Sequence, residues 1–235
     1  MLAPVTEIFC DIDDFCKDYL QNQSKYLIPN LNRIRRKEMQ MSLSEIGTIV
    51  VLFQMSHYRT FKDFYCSCVL QDMKHYFPKA LSYTRFVACK SASLVMLTAY
   101  LVSKSGKPTG LYYIDSTTLR VCHNKRIYRN KVFKGIAERS KSTMGWFYGF
   151  KLHIVINHQG ELMSFCLTKG NVDDRAVVRK LMANLKGIAA GDKGYLGKEL
   201  AEDLAKHNLK FVTKLRKNMK KKMLSAFERF FLKQR

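Results

Sequence analysis

The stretch SKSGKPTG (residues 103–110) marks the point where the hydrophobic period of the chain changes, and this change limits the fold more than any other feature. Gly, Pro, Ser and Lys gather there without an apolar residue to pack, so the stretch reads as a boundary. Before it the spacing is helical. Residues 42–58 open with Ser42 or Ser44 as a cap, and residues 61–77 follow after a short break and stop at Pro78. A third helix is predicted over 84–104. Residues 1–104 are therefore expected to be a small all-α region, possible as a DNA-binding unit in the manner of a helix-turn-helix and equally possible as a plain bundle.

After the boundary the period becomes that of strands. GLYYIDSTTLRV is rich in β-branched and aromatic residues and reads as a strand. Residues 146–171 read as two strands joined at His158-Gln159-Gly160, a hairpin signal. A helix over 173–185, capped by its own acids, precedes a short strand over 187–196 that ends in Asp192. A helix over 198–208, a strand over 209–215 and a basic amphipathic helix over 217–235 complete the order. The expected class for 111–235 is α/β, a mixed sheet flanked by helices.

Charge bears on partners rather than on fold. The 235 residues include 41 Lys and Arg against 19 Asp and Glu, a net charge of +22. From Arg120 to Lys151 there are nine basic residues and one acid, Glu138, and from Lys206 onward eleven and one, Glu228. Two such runs predict attraction to a polyanion, with double-stranded DNA the expected partner. Seven cysteines without framework spacing fit a reducing compartment, and the acids near the N-terminus do not suit an export signal. No window reaches the unbroken apolar length that a membrane span needs. These features predict a soluble cytoplasmic protein. Cys66 and Cys68 with His57 and His75 fit no closed zinc site and read as buried thiols.

Asp115 raises the chemical question, because it puts a carboxylate at the end of an apolar run. Asp192, in AAGDKGYL, likewise follows a short apolar strand beside small residues. If the two strands are neighbours, the carboxylates converge at one sheet edge, where a divalent cation would relieve their repulsion. The plainer readings are that Asp115 caps a turn at Thr117 and Thr118, and that Asp192 is a turn residue. Lys125, Arg126, Arg129, Lys131 and Lys134, with His123, form a basic loop suited to phosphates. Lys151 and Lys193 are further candidates for DNA contact. Asp173 and Asp174 read as helix-capping acids, and Trp146 and Tyr195 as either core or base-stacking aromatics.

The blocks YYIDSTTLRV, WFYGFKLH, GNVDDR and GDKGYL, in that order, resemble an insertion-sequence transposase of the DDE class, and the likeness extends through KFVTKLRKNMK. The resemblance implies a ribonuclease-H-like core and three acids that hold Mg²⁺ or Mn²⁺. It also implies DNA cleavage at the terminal inverted repeats of an element, and joining of the freed 3′ end to target DNA. Asp115 and Asp192 match the first two acids. The third, a Glu on a helix after a basic stretch, has no match before Arg235, and Glu228 falls ahead of that stretch rather than behind it. The resemblance thus implies a bacterial, nucleoid-associated mobile-element protein, a homo-oligomer on DNA, truncated before its last ligand. The rival readings are a non-catalytic DNA-binding remnant and a nuclease without strand transfer.

Overall fold

The computed structural model describes residues 5–26, 40–195, 197–213 and 225–233, and the chain divides into two compact units, with the boundary in sequence after Lys104. The first is helical. α1 (Val5–Tyr26) is joined to α2 (Leu43–Met55) through Ser44, whose Oγ donates to Asp13 at 2.6 Å. Ser42 caps α2 by a reciprocal pair of bonds: Glu45 N donates to Ser42 Oγ, and Ser42 N donates to the Glu45 carboxylate. α3 (Phe61–Asp63) runs directly into a π-helix, Phe64–Asp72. Met73 N reaches back five residues to Cys68 O, and the chain turns there. The helix expected to run to Pro78 is therefore five residues shorter.

α4 (Tyr83–Cys89) and α5 (Ser93–Ser103) are separated by a 3₁₀ turn, Lys90–Ala92. By length and composition alone the continuous run Tyr83–Ser103 is apolar enough to cross a membrane. Arg85 and Lys90 interrupt it, which is why no unbroken apolar window was expected there. Phe86 and Met96 from this run are buried within the unit, and the Lys90 ammonium lies 5.1 Å from the Phe61 ring centre. Tyr65 anchors the unit's core: its ring lies 4.6 Å from that of Phe86, and its hydroxyl donates to Leu81 O at 2.7 Å. Burial pushes the Tyr65 phenol up to about 12 and also raises the Cys68 thiol.

The second unit is built on a six-stranded mixed sheet. β1 (Leu111–Cys122), β2 (Glu138–Ser142), β3 (Gly145–Asn157), β4 (Leu162–Lys169), β5 (Gly187–Gly191) and β6 (Leu209–Thr213) lie in the order β2-β3-β1-β5-β6. β4 also pairs with β3, on the edge that β2 occupies further along. β3 runs antiparallel to β1, and β5 and β6 run parallel to it. The two parallel steps are bridged by helices, as parallel connections require: α6 (Asp174–Met182) precedes β5 and α7 (Lys198–Lys206) precedes β6. α6 and α7 bury Val178, Leu181, Leu200 and Leu204 against Tyr112, Ile114 and Val155 on one face. α8 (Ala226–Lys233) covers the other face at its β5–β6 end with Phe231 and Leu232. This is the ribonuclease-H-like mixed sheet, preceded by a helical region.

β2 was not expected. Its sequence, ERSKS, has no apolar alternation, and it becomes a strand by pairing with the first five residues of β3. Of the basic helix expected over 217–235, residues 217–224, including Lys220 to Lys222, lie outside the described residues.

Candidate active site

Two neighbouring parallel strands carry the predicted acids: Asp115 lies in β1, and Asp192 directly follows the end of β5. Tyr113 of β1 pairs with Ala190 of β5, and Asp115 and Asp192 each lie two residues further along. Both are exposed. Asp115 accepts from Ser116 N at 2.8 Å, and Asp192 opens a 3₁₀ turn, Lys193–Tyr195, in which Tyr195 N donates to Asp192 O. The glycine before Asp192 is required by packing, since a Cβ on Gly191 would lie 2.6 Å from the Phe211 ring. Asp115 shares its sheet face with Tyr113 and with its cross-strand partner Ile154. These residues, with Ile156 and His158, line a cleft of about 480 Å³.

On the opposite face a polar cluster lies beneath the start of α6. Lys151 donates to Val172 O and to Asp174 Oδ1, both at 2.9 Å, and Asp174 Oδ2 accepts from Ser116 Oγ at 3.4 Å. Lys151, read in the sequence as a DNA contact, is thus largely buried in an ion pair. His153 is fully buried, with Nε2 3.0 Å from Thr168 Oγ1. Burial lowers its pKa, which favours the neutral ring. Asp173 caps α6 through Arg175 N and pairs with the Arg175 guanidinium at 2.6 Å, which holds its carboxyl near 2.

Glu228 is engaged within the fold. It forms a capping box with Ser225 at the start of α8 and an ion pair with Lys210 of β6 at 2.5 Å. Lys210, followed by Ser225, holds its carboxyl below the ordinary carboxylate range. Among the described residues no group of three or more His, Cys, Asp or Glu is arranged to hold a metal ion.

A family model described as Transposase DDE domain matches residues 105–235, which is more than half of the chain. The chain belongs to this transposase family. Members of it generally use divalent metal ions. Among solved structures, it is similar to a piggyBac transposase synaptic complex with hairpin DNA, at 13% identity and a TM-score of 0.46, over 91% of this chain and 49% of that one. It is also similar to the Mos1 transposase paired-end complex with the left transposon end and to the Mos1 strand transfer complex, at 12% and 11% identity and a TM-score of 0.28 for each. Those two matches cover 84% of this chain, and 66% and 65% of theirs. The chain therefore spans about half to two thirds of the length of these transposase chains. No curated protein sequence matches it.

In this DDE domain the basic loop is folded. Asn124–Arg129 forms a 3₁₀ segment capped by His123, and Asn124 Nδ2 donates to Trp146 O at 2.8 Å. Further on, Phe133 meets Phe150 edge to face at 5.7 Å, and Lys169 donates to Gly135 O. Phe150 lies on the same side of β3 as Ile154, so the segment folds back over the sheet face that carries Asp115. Lys125, Arg126, Lys131 and Lys134 are exposed there, and Arg129 lies over the Tyr128 ring. Lys193 is exposed beside Asp192. Tyr195 is buried and belongs to the core, whereas Trp146 is half exposed under the guanidinium of Arg139. Arg139 and Lys141 were not legible as binding candidates in the sequence, because β2 carries no strand signal of its own.

Proposed function

We propose that this chain is the DNA-cutting part of a transposase, in which Asp115 and Asp192 hold a divalent cation, Mg²⁺ or Mn²⁺, against a phosphodiester. The observation that supports this most is the parallel pairing of Tyr113 with Ala190, which sets the two carboxylates at matching steps of adjacent strands. Two exposed carboxylates fit one hard cation, which usually takes its remaining ligands from water and phosphate. Such an ion, when bound, activates water and offsets the charge that develops on the phosphate. The chain itself orients Asp115 through Ser116 N and Asp192 through its 3₁₀ turn. Lys193 and the basic segment face the phosphate charge of a duplex. Hydrolysis at an element end would free a 3′-hydroxyl, which then attacks target DNA. The expected setting is a homo-oligomer on DNA in the bacterial cytoplasm, near the nucleoid.

A second reading, a DNA-binding protein that does not cut, is favoured by the commitment of Glu228 to Lys210 and Ser225 rather than to the aspartates. One experiment separates them. Purified protein is incubated with Mg²⁺ or Mn²⁺ and a plasmid carrying the gene with its flanking DNA. Cut ends and joined products that disappear in Asp115→Asn support the first reading. Binding without cutting supports the second, and cutting without joining indicates a nuclease.

A further inference from the structure

The β2–β3 hairpin places a second basic surface on the sheet face that carries the carboxylates. Trp146 and Ile154 are eight residues apart on β3, and side chains an even number apart share a face, so Trp146 projects on the same side as Asp115. Lys141 pairs directly with Trp146, and the Arg139 guanidinium lies 4.8 Å from the centre of the indole ring. Trp146 is 50% exposed and Met144, at the hairpin tip, is 83% exposed. The bond from Asn124 to Trp146 O ties the 3₁₀ segment to the tip end of this hairpin, one pair from its turn.

We infer that the hairpin, through Arg139, Lys141 and Trp146, grips the flank of the duplex whose phosphodiester lies at Asp115 and Asp192. Charge complementarity selects the occupant: from Arg120 to Lys151 there is one acid against nine basic residues. Length agrees. Eight residues of strand at about 3.3 Å each span at most about 26 Å, roughly three quarters of a duplex turn of about 34 Å. A rigid DNA helix crossing the carboxylates therefore meets the hairpin within one turn. The guanidinium and ammonium take phosphates, while the indole, covered on one side by Arg139, offers its exposed edge to the backbone. This grip rests on the functional reading above for the placement of the cut.

Trp146 is the only tryptophan in the chain, so its emission reports on this surface alone. A fluorescein-labelled duplex of generic sequence is titrated into the full chain, with anisotropy and tryptophan emission followed together over a range of salt. The grip predicts that emission changes in step with anisotropy. It also predicts that Arg139→Gln with Lys141→Gln reduces the salt slope by nearly two, at about 0.9 for each phosphate no longer neutralised. Arg139→Lys should keep the slope. Rising anisotropy with unchanged emission, or an unchanged slope in the double variant, overturns the grip. A stronger emission response to the single strand than to the duplex overturns the choice of partner. If wild-type protein cuts nothing yet passes these tests, the cleavage reading fails and the grip stands.

Discussion

Asp115 stands two residues past Tyr113 on β1, and Asp192 two residues past Ala190 on β5, where Tyr113 and Ala190 pair in parallel register. Neither position depends on a long loop, since each carboxylate leaves the sheet from a strand or its first turn. Removing either charge should therefore disable the cation site without disturbing the sheet. Asp115→Asn and Asp192→Asn are each expected to reduce metal-dependent cutting by more than about a hundredfold, because even the outer partners of metal ligands cost about 10–100-fold. DNA affinity, measured by anisotropy without metal, should stay close to that of the parent. Cutting that persists in either variant would remove these residues from the site.

Glu228 tests whether α8 supplies structure or chemistry. Its carboxyl is held below the usual range by Lys210 and Ser225, so the folded pKa is lower than the unfolded one. The stabilisation is therefore present above the unfolded value and is lost as pH falls through the folded value. Glu228→Gln should lower stability by about 1 kcal/mol near neutral pH, given a capping-box acid whose partner Lys210 is mostly exposed. The difference from wild type should shrink in acid, as read from urea midpoints at several pH values. Metal-dependent cutting should be unaffected, and its loss would make Glu228 a candidate ligand again.

Lys151 and Asp174 hold the start of α6 against the sheet. Truncating Lys151 to Ala leaves a part-buried carboxylate with Ser116 Oγ, and strands the carbonyl of Val172. A cost of about 2 kcal/mol is expected. Asp174→Asn should cost less, because its amide can still accept from Lys151. In a double-mutant cycle the Lys151→Ala and Asp174→Ala pair should couple by at least about 0.5 kcal/mol. Strict additivity would mean that the 2.9 Å ion pair contributes nothing.

How much of this was legible in the sequence depends on where each signal came from. The strand carrying Asp115 was readable because β-branched and aromatic residues fill it, and the β3–β4 turn because Gly160 adopts a positive φ. That the strands carrying Asp115 and Asp192 are neighbours was readable only as a condition, which the sheet order meets. β2 was illegible because ERSKS becomes a strand through its partner β3 and not through its own residues. The engagement of Lys151 was hidden for a related reason: its partners, Val172 and Asp174, lie more than twenty residues away, and alternation on a strand indicates a face but not what covers it. Asp173 was readable because an N-cap acts within its own first turn.

Two glycines with positive φ should respond very differently to alanine. Gly187 starts β5 at φ +119, and an added Cβ would lie 2.2 Å from the carbonyl oxygen of Gly110, which itself accepts from Ile188 N. Both the backbone strain and the clash with a fixed main-chain atom act on the junction of β1 and β5, the pairing that aligns the two aspartates. Gly160 has φ +83 at the β3–β4 turn, with nothing within 4 Å of an added Cβ. Gly160→Ala should therefore cost only the left-handed conformation, about 1–2 kcal/mol, and leave cutting intact. Gly187→Ala should cost more than about 3 kcal/mol, since strain and overpacking add, and should depress cutting even under conditions where the protein stays folded. Thermal melts and cleavage assays on the two variants side by side check this. If Gly187→Ala cut normally while folded, the alignment of β1 and β5 would not be what positions the carboxylates.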